Sequence, residues 1–535
     1  LNGRETKADP GRSSAFWDAL GWAVLLVLTT IVALTFADYG ITWDEPLQNR
    51  YGKLVLDYYW SWGKDRAAFD YVNLYYYGAA FDLAAAVLNL VSPLDTYPTR
   101  HLLNALVGLL GIAGVWRLAR EIGGARAGVV ALVLLALTPD WYGHLFNNPK
   151  DVPFAAAMTW GLLALVRIAR ELPRPVPRSV ALLGVAAGFA LGTRVAGGLL
   201  FLYLGVLGVV WISSRRREVG WSVAIREASR ASLRLVPSIV LAGVLMLILW
   251  PWTQDAPLTN PLRALREFSH FPFDVDFLFN GEYIRTTDLP WYYLPLMFLV
   301  RLPEPVLLGV AALPLLLWRD DEPHRLTRLA WVVLGVAFLF PPLYILAGRS
   351  PLYDGIRHVL FLVPLCAVLA ALGLGRLWGL AARRRATKYA LAALAGLWLG
   401  VQVWQFVALH PDQIVLYNRI AGGVPGAAGR FELDYWGNSL KETAEQVLTA
   451  ATQRLGPDAA GEAVRVAVCG PADAVRNYFP QPWHVFVSIA ERKSADIYLW
   501  LPRVPCRIPE GAEKIAETQR FGVTLSSAFL DPHRR

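Results

Sequence analysis

Apolar stretches about as long as a bilayer is thick recur through most of this chain, and short runs of arginine separate them. A helix needs about 20 apolar residues to cross the hydrocarbon core. In lipid every backbone N–H and C=O must be bonded within its own segment, so such stretches can only be helices. Spans are predicted at 17–36, 101–119, 125–138, 152–171, 179–192, 196–213, 235–252, 295–318, 328–346, 357–378 and 388–409, or about eleven crossings. Of the 535 residues, 55% are hydrophobic and 17% charged, which excludes a disordered, collagen-like or disulfide-scaffold protein.

The net charge of +9 does not form a single basic face, so nucleic acid is not an expected partner. The basic residues lie between apolar runs, as in Arg215-Arg216-Arg217 and Arg383-Arg384-Arg385, the distribution that sets membrane orientation. Segment 74–91 is apolar but carries Asp82, which costs roughly 2.5–3.5 kcal/mol at a bilayer centre. Placing Arg117, Arg120 and Arg126 in the cytoplasm makes 101–119 and 125–138 a hairpin and leaves 74–91 lying along the outer interface. Residues 37–100, 139–151, 253–294, 347–356 and everything after 409 then share the outer face. The expected organisation is a cytoplasmic tail at 1–16, a multi-span domain at 17–409 and an outer α/β domain at 410–535. In the tail, a helix is predicted at 438–455 and strands at 464–469, 484–489 and 496–501. Cys366 reads as packing, and Cys469 and Cys506 could pair if the tail lies in an oxidising compartment.

The outer segments hold the residues that can do chemistry. Asp44-Glu45 follows the first span, where it is either a solvated helix start or an acid pair in a site. His144, Asn147, Asn148, Lys150 and Asp151 crowd the second outer loop. Gly192-Thr193-Arg194 interrupts a long apolar stretch, so Arg194 should be partly buried and needs an anion, either an acid such as Asp44 or Asp151 or a phosphate. Arg100-His101 and Arg357-His358 begin spans, against the helix-dipole preference, and suit either lipid headgroups or a substrate phosphate. Carboxylates facing cations suit transfer of a group from a lipid phosphate. An acid takes the acceptor proton, and cations stabilise the departing phosphate as its charge grows.

Taken in order, these features resemble the polytopic GT-C glycosyltransferases, in the branch of protein O-mannosyltransferases and lipid A aminoarabinose transferases. The resemblance rests on Asp44-Glu45, the 100–126 segment, Pro149-Lys150-Asp151 and Gly192-Thr193-Arg194. It implies a mostly α, GT-C-type membrane enzyme of the bacterial inner membrane, with interfacial helices in its first outer loop and its site and tail in the periplasm. Such an enzyme would transfer a sugar, with inversion, from a polyprenyl-phosphate donor to a lipid, glycan or protein hydroxyl. Asp44 falls on the general base and Glu45 on the second acid. Arg194, Lys150, Arg100, Arg357 and His358 fall to the donor phosphate, and Asp151 and His144 to a second acidic position that holds a divalent metal in some relatives. No cofactor is otherwise implied. Asp434, Tyr435 and Trp436 are either turn and packing residues or an acceptor platform. The competing reading is a transporter or flippase without covalent chemistry, although no inverted repeat is evident.

Overall fold

A computed structural model describes residues 10–269, 274–314, 325–381, 383–455, 464–487 and 495–533. Eight helices among these residues are long and apolar enough to span a membrane. Helix α1 (Pro10–Thr35) leads into the first loop, which carries α2 (Glu45–Trp60) and the short α3 (Ala80–Leu88). At nine residues α3 is too short to span, in line with the expectation that 74–91 does not cross. Helix α4 (Thr96–Ala136) is two limbs joined at Gly124, whose φ of +83° no ordinary helix contains. A Cβ on Gly128 in the second limb would lie 2.7 Å from Trp116 in the first, so the limbs fold back on each other as the anticipated hairpin.

The remaining membrane helices are α6 (Asp151–Glu171), reached through the one-turn α5 (Pro139–His144), then α7 (Pro177–Leu191), α8 (Leu199–Val219) and α9 (Trp221–Leu249). After the loop helix α10 (Thr259–Ser269) and the hairpin of β1 (Asp276–Phe279) and β2 (Glu282–Arg285) come α11 (Tyr293–Arg301), α12 (Glu304–Ala311), α13 (Arg325–Gly348), α14 (Leu362–Ala381) and α15 (Arg385–Ala408). The span expected at 295–318 is broken. Leu302-Pro303 separates α11 from α12, because proline has no N–H and clashes with a preceding helical turn. Asn418 repairs the break, its Nδ2 donating to the carbonyls of Leu299 at 2.6 Å and Leu302 at 2.8 Å. The end of that span, part of the adjoining 319–328 basic run and most of the 1–16 tail lie outside the described residues.

Charged pairs mark the two ends of the bundle. Arg120 with Asp18, Arg167 and Arg170 with Glu121, and Arg215 with Glu227 join the loops of one end. At the other end the first loop meets the segment after α15, with Gly40 N donating to Asn438 and Tyr39 Oη to Gln413. Residues 414–436 pack into the same apolar core as the membrane helices. Beyond them, α16 (Leu440–Leu455) covers a five-stranded sheet in the order β4-β3-β5-β7-β6, with a core of its own. The strands are β3 (Arg465–Cys469), β4 (His484–Val487), β5 (Ile497–Trp500), β6 (Glu513–Arg520) and β7 (Val523–Leu530). β3, β4 and β5 are parallel, β7 and β6 antiparallel. The β6–β7 hairpin, missed in sequence, turns on Phe521 and Gly522, both at positive φ, where Asn-Gly would have been the readable signal. Residues 488–489 of the expected second strand fall outside the description.

Candidate functional site

Asp44 stands at the residue before α2, and Lys150 just before α6. They meet across the loop end of the bundle, Lys150 Nζ lying 2.8 Å from Asp44 Oδ2. Burial alone would raise the pKa of Asp44. The charges of Lys150 and Arg357 outweigh it and hold the carboxyl below the usual range, so Asp44 is ionised at neutral pH. One residue on, Asp151 pairs with Arg194, as one of the two partners anticipated for that arginine. Asp151 also accepts from Asn148 Nδ2 at 3.0 Å. Arg194 can reach it because the turn after α7 is docked on the first loop, with Gly78 N donating to Thr193 O and Ala80 N to Gly192 O. The ring of Tyr77 lies under both cations, 5.1 Å from Lys150 Nζ and 5.6 Å from the Arg194 guanidinium.

Arg357 closes the other side. Its Nη1 is 3.9 Å from Asp44 and its Nε 3.1 Å from Asp354, and its guanidinium lies over the rings of Tyr353 and Trp436. His358 sits edge-on to Tyr353. His144 is fully buried. Asn148 Nδ2 meets its Nδ1 at 3.1 Å and Tyr435 Oη its Nε2 at 2.7 Å, so a neutral ring accepts from the amide and donates to the phenol. Burial, opposed by Asp151 and helped by Arg301 and Arg357, brings its pKa down to about 3.

The other expected members are committed to contacts of their own. Arg100, expected near the donor phosphate, is only 1% exposed and is bonded to Asp82 at 2.6 Å, an internal clamp between α4 and α3. Glu45 is equally buried, accepting from Thr42 N and facing His101 Nε2 at 3.2 Å, so it shapes the turn that presents Asp44. Asp434 accepts the backbone N–H groups of Gly437, Asn438 and Ser439 and caps that turn, which leaves little of its carboxylate for an acceptor. Tyr435 and Trp436 are buried against His144 and Arg357.

The residues do not fit a metal. Asp44 and Asp151 are each neutralised by a cation, His144 is spent on Asn148 and Tyr435, and no three His, Cys, Asp or Glu side chains are grouped for a metal among the described residues.

Three participants escaped the sequence reading. Asp354 joins the cluster through Arg357 and Arg503 through Asp354, and Arg301 forms a buried pair with Asp140 nearby. A charged residue inside a predicted span, Arg301, was the one available signal.

An apolar cavity of about 440 Å³ opens beside the cluster, between α3, α4, α6 and α7. Phe81, Leu110, Trp160 and Phe189 line it, and Pro153 and Thr193 bring it to the neighbours of Asp151 and Arg194.

Residues 95–240 match the family described as dolichyl-phosphate-mannose-protein mannosyltransferase. No curated protein matches the chain in sequence. Among solved structures, ArnT from Cupriavidus metallidurans in the apo state aligns with a TM-score of 0.50 at 16% identity, covering 97% of this chain and 98% of that one. The same protein bound to undecaprenyl phosphate aligns at 0.47 and 16%, covering 96% and 98%. The oligosaccharyltransferase AglB from Archaeoglobus fulgidus, in complex with an inhibitory peptide and a dolichol-phosphate, aligns at 0.46 and 13%, covering 84% and 62%. The chain is therefore a multi-pass membrane protein with an ArnT-like GT-C fold, and its residues 95–240 are similar to the mannosyltransferase family model.

Proposed function

We propose that this protein transfers a sugar from a polyprenyl-phosphate carrier to an acceptor hydroxyl, with inversion and with Asp44 as the general base. The observation that carries this reading is the apolar cavity among membrane helices whose lining residues Pro153 and Thr193 are close sequence neighbours of Asp151 and Arg194, in the cluster that also holds Lys150 and Arg357. A prenyl chain with a phosphate at its end has that same pairing of properties. The matched family segment is described by a dolichyl-phosphate sugar, and the fold neighbour ArnT has been solved with undecaprenyl phosphate.

In this reading the phosphate enters beside Arg194 and Lys150, and Lys150 turns part of its charge from Asp44 to the donor. Asp44, freed in part, accepts the proton of the acceptor hydroxyl. The acceptor oxygen bonds to the anomeric carbon on the face opposite the phosphate, and the carbon–oxygen bond to phosphate breaks with its electron pair. Arginines bound to the leaving phosphate gain most as that bond breaks, since the charge on phosphate then rises. Arg357 spans both roles, facing Asp44 and the phosphate side. The acceptor is a lipid, glycan or protein hydroxyl.

The same reading puts the protein in a bacterial inner membrane with its site in the periplasm. The arginine clusters opposite the site support that orientation, as does a disulfide between Cys469 and Cys506, which persists in an oxidising compartment. The test is Asp44→Asn, assayed for a sugar gained by the membrane glycan or glycolipid fraction, with undecaprenyl phosphate binding measured in parallel. Transfer should fall by at least about 100-fold, the usual scale of a lost general base, with binding retained. Transfer at the wild-type rate would remove Asp44 from the reaction.

A further inference from the structure

The loop after β5 reaches out of the α/β unit and into the cationic cluster. Arg503 Nη1 donates to Asp354 at 2.5 Å and to the backbone carbonyl of Tyr435 at 3.1 Å. Asp354 is 3% exposed, so its carboxylate is shared between two arginines: Arg503 on the tail side and Arg357 on the site side. Arg357 then faces Asp44. The loop that presents Arg503 is itself tied down. Cys506, three residues on, is bonded to Cys469 at the end of β3, Leu501 N donates to Cys469 O, and Trp500 Nε1 donates to Val504 O.

The site end thus holds carboxylates at Asp44, Asp151 and Asp354 against cations at Lys150, Arg194, Arg357 and Arg503. Glu432 adds a fourth carboxylate close to Arg503, so the four cations are matched, and one of them comes from the tail. Without Arg503, Asp354 would have Arg357 as its main counter-charge and would draw it away from Asp44 and from an arriving anion. A buried carboxylate takes whichever cation is left, because an unpaired charge there costs far more than a displaced side chain.

We propose that Arg503, held by the Cys469–Cys506 disulfide, is a positioning residue of the donor site: by occupying Asp354 it leaves Arg357 available to the lipid phosphate. This rests on the donor reading given above. The α/β unit thereby becomes part of the donor site without touching the donor, and an oxidised tail becomes a condition for full donor affinity.

The test uses the full chain in nanodiscs, with undecaprenyl phosphate as the probe and affinity read from tryptophan fluorescence. Arg503→Ala should raise Kd about five- to tenfold, the scale of coupling between contacting charges. Arg503→Lys should recover part of the loss. The variant carrying both Arg503→Ala and Asp354→Asn should return to within about twofold of wild type, because the carboxylate that captured Arg357 is gone. Mere loss of packing would not be cured by that second change. Reduction of the disulfide should weaken binding by wild type and add little to Arg503→Ala. Wild-type affinity in Arg503→Ala, or a double variant no better than the single, overturns the proposal while leaving the donor reading intact, provided Arg194→Ala still loses binding. Unchanged binding by reduced wild type overturns the part given to the disulfide. Absence of undecaprenyl phosphate binding by wild type overturns the donor reading and this proposal together.

Discussion

Asp44 and Lys150 are bonded to each other, so a change at either one alters the charge state of its partner. Burial works to raise the pKa of Asp44, and Lys150 is the largest influence lowering it. The carboxylate is the active form of a general base, so activity is present above the pKa of Asp44 and is lost as pH falls through it. Lys150→Gln leaves burial opposed mainly by Arg357, and the acid limb of the kcat/KM profile should move to higher pH by at least about 1 unit. A limb that stays in place would show that Lys150 does not set the ionisation of Asp44. Arg194 offers a different contrast. It already has Asp151, so its value to a donor lies in the second edge of its planar fork. Arg194→Lys keeps the charge and loses the fork, and donor KM should rise about tenfold; kinetics equal to wild type would make Arg194 a structural partner of Asp151 and nothing more.

Among the elements, the break between α11 and α12 is the most consequential. Arg301 at the end of α11 bonds Asp140 of α5 through Nε at 2.9 Å and Nη2 at 2.9 Å, and Nη2 also donates to Ile414 O at 2.8 Å. Both partners are 1% exposed. This pair fastens the broken span to the turn that carries His144 and to the segment after α15. Asp140→Asn leaves a buried guanidinium without its counter-ion, which should cost ~3–5 kcal/mol. Thermal unfolding in detergent should show the loss as a lowered midpoint, and the double change Asp140→Leu with Arg301→Met should recover much of it. Equal midpoints for Asp140→Asn and wild type would mean the pair holds nothing together. The break itself was legible as Leu302-Pro303, but the length of the apolar run hid it. An average over 295–318 stays apolar whether the helix is continuous or bent.

On the scale of the whole molecule, the alternation of loops assigned from arginine placement matches the two ends seen in the fold, one tied by arginine–carboxylate pairs and the other carrying the site. If the site end is periplasmic, a cysteine placed at the exposed Asp95, Asp95→Cys, should react with an impermeant maleimide added outside spheroplasts; reaction only after lysis would invert the orientation. The apolar runs, the hairpin at 101–138 and the absence of a span at 74–91 could be read from the residues alone, because insertion into lipid is a local decision. Each segment either satisfies its own backbone and hides its charges, or it does not. The identity of Asp44, Lys150, Asp151 and Arg194 as site candidates was likewise visible, since charges beside spans are few. Their pairing was not. Arg100 and Arg194 look alike in sequence, yet one is sealed against Asp82 and the other pairs with Asp151 beside Lys150 and Tyr77. Arg503 lies 149 positions from Asp354 and carries no local mark. Which charge meets which depends on how distant segments are brought together and how much water the packing leaves around them, and that is settled only when the bundle and the tail close on each other.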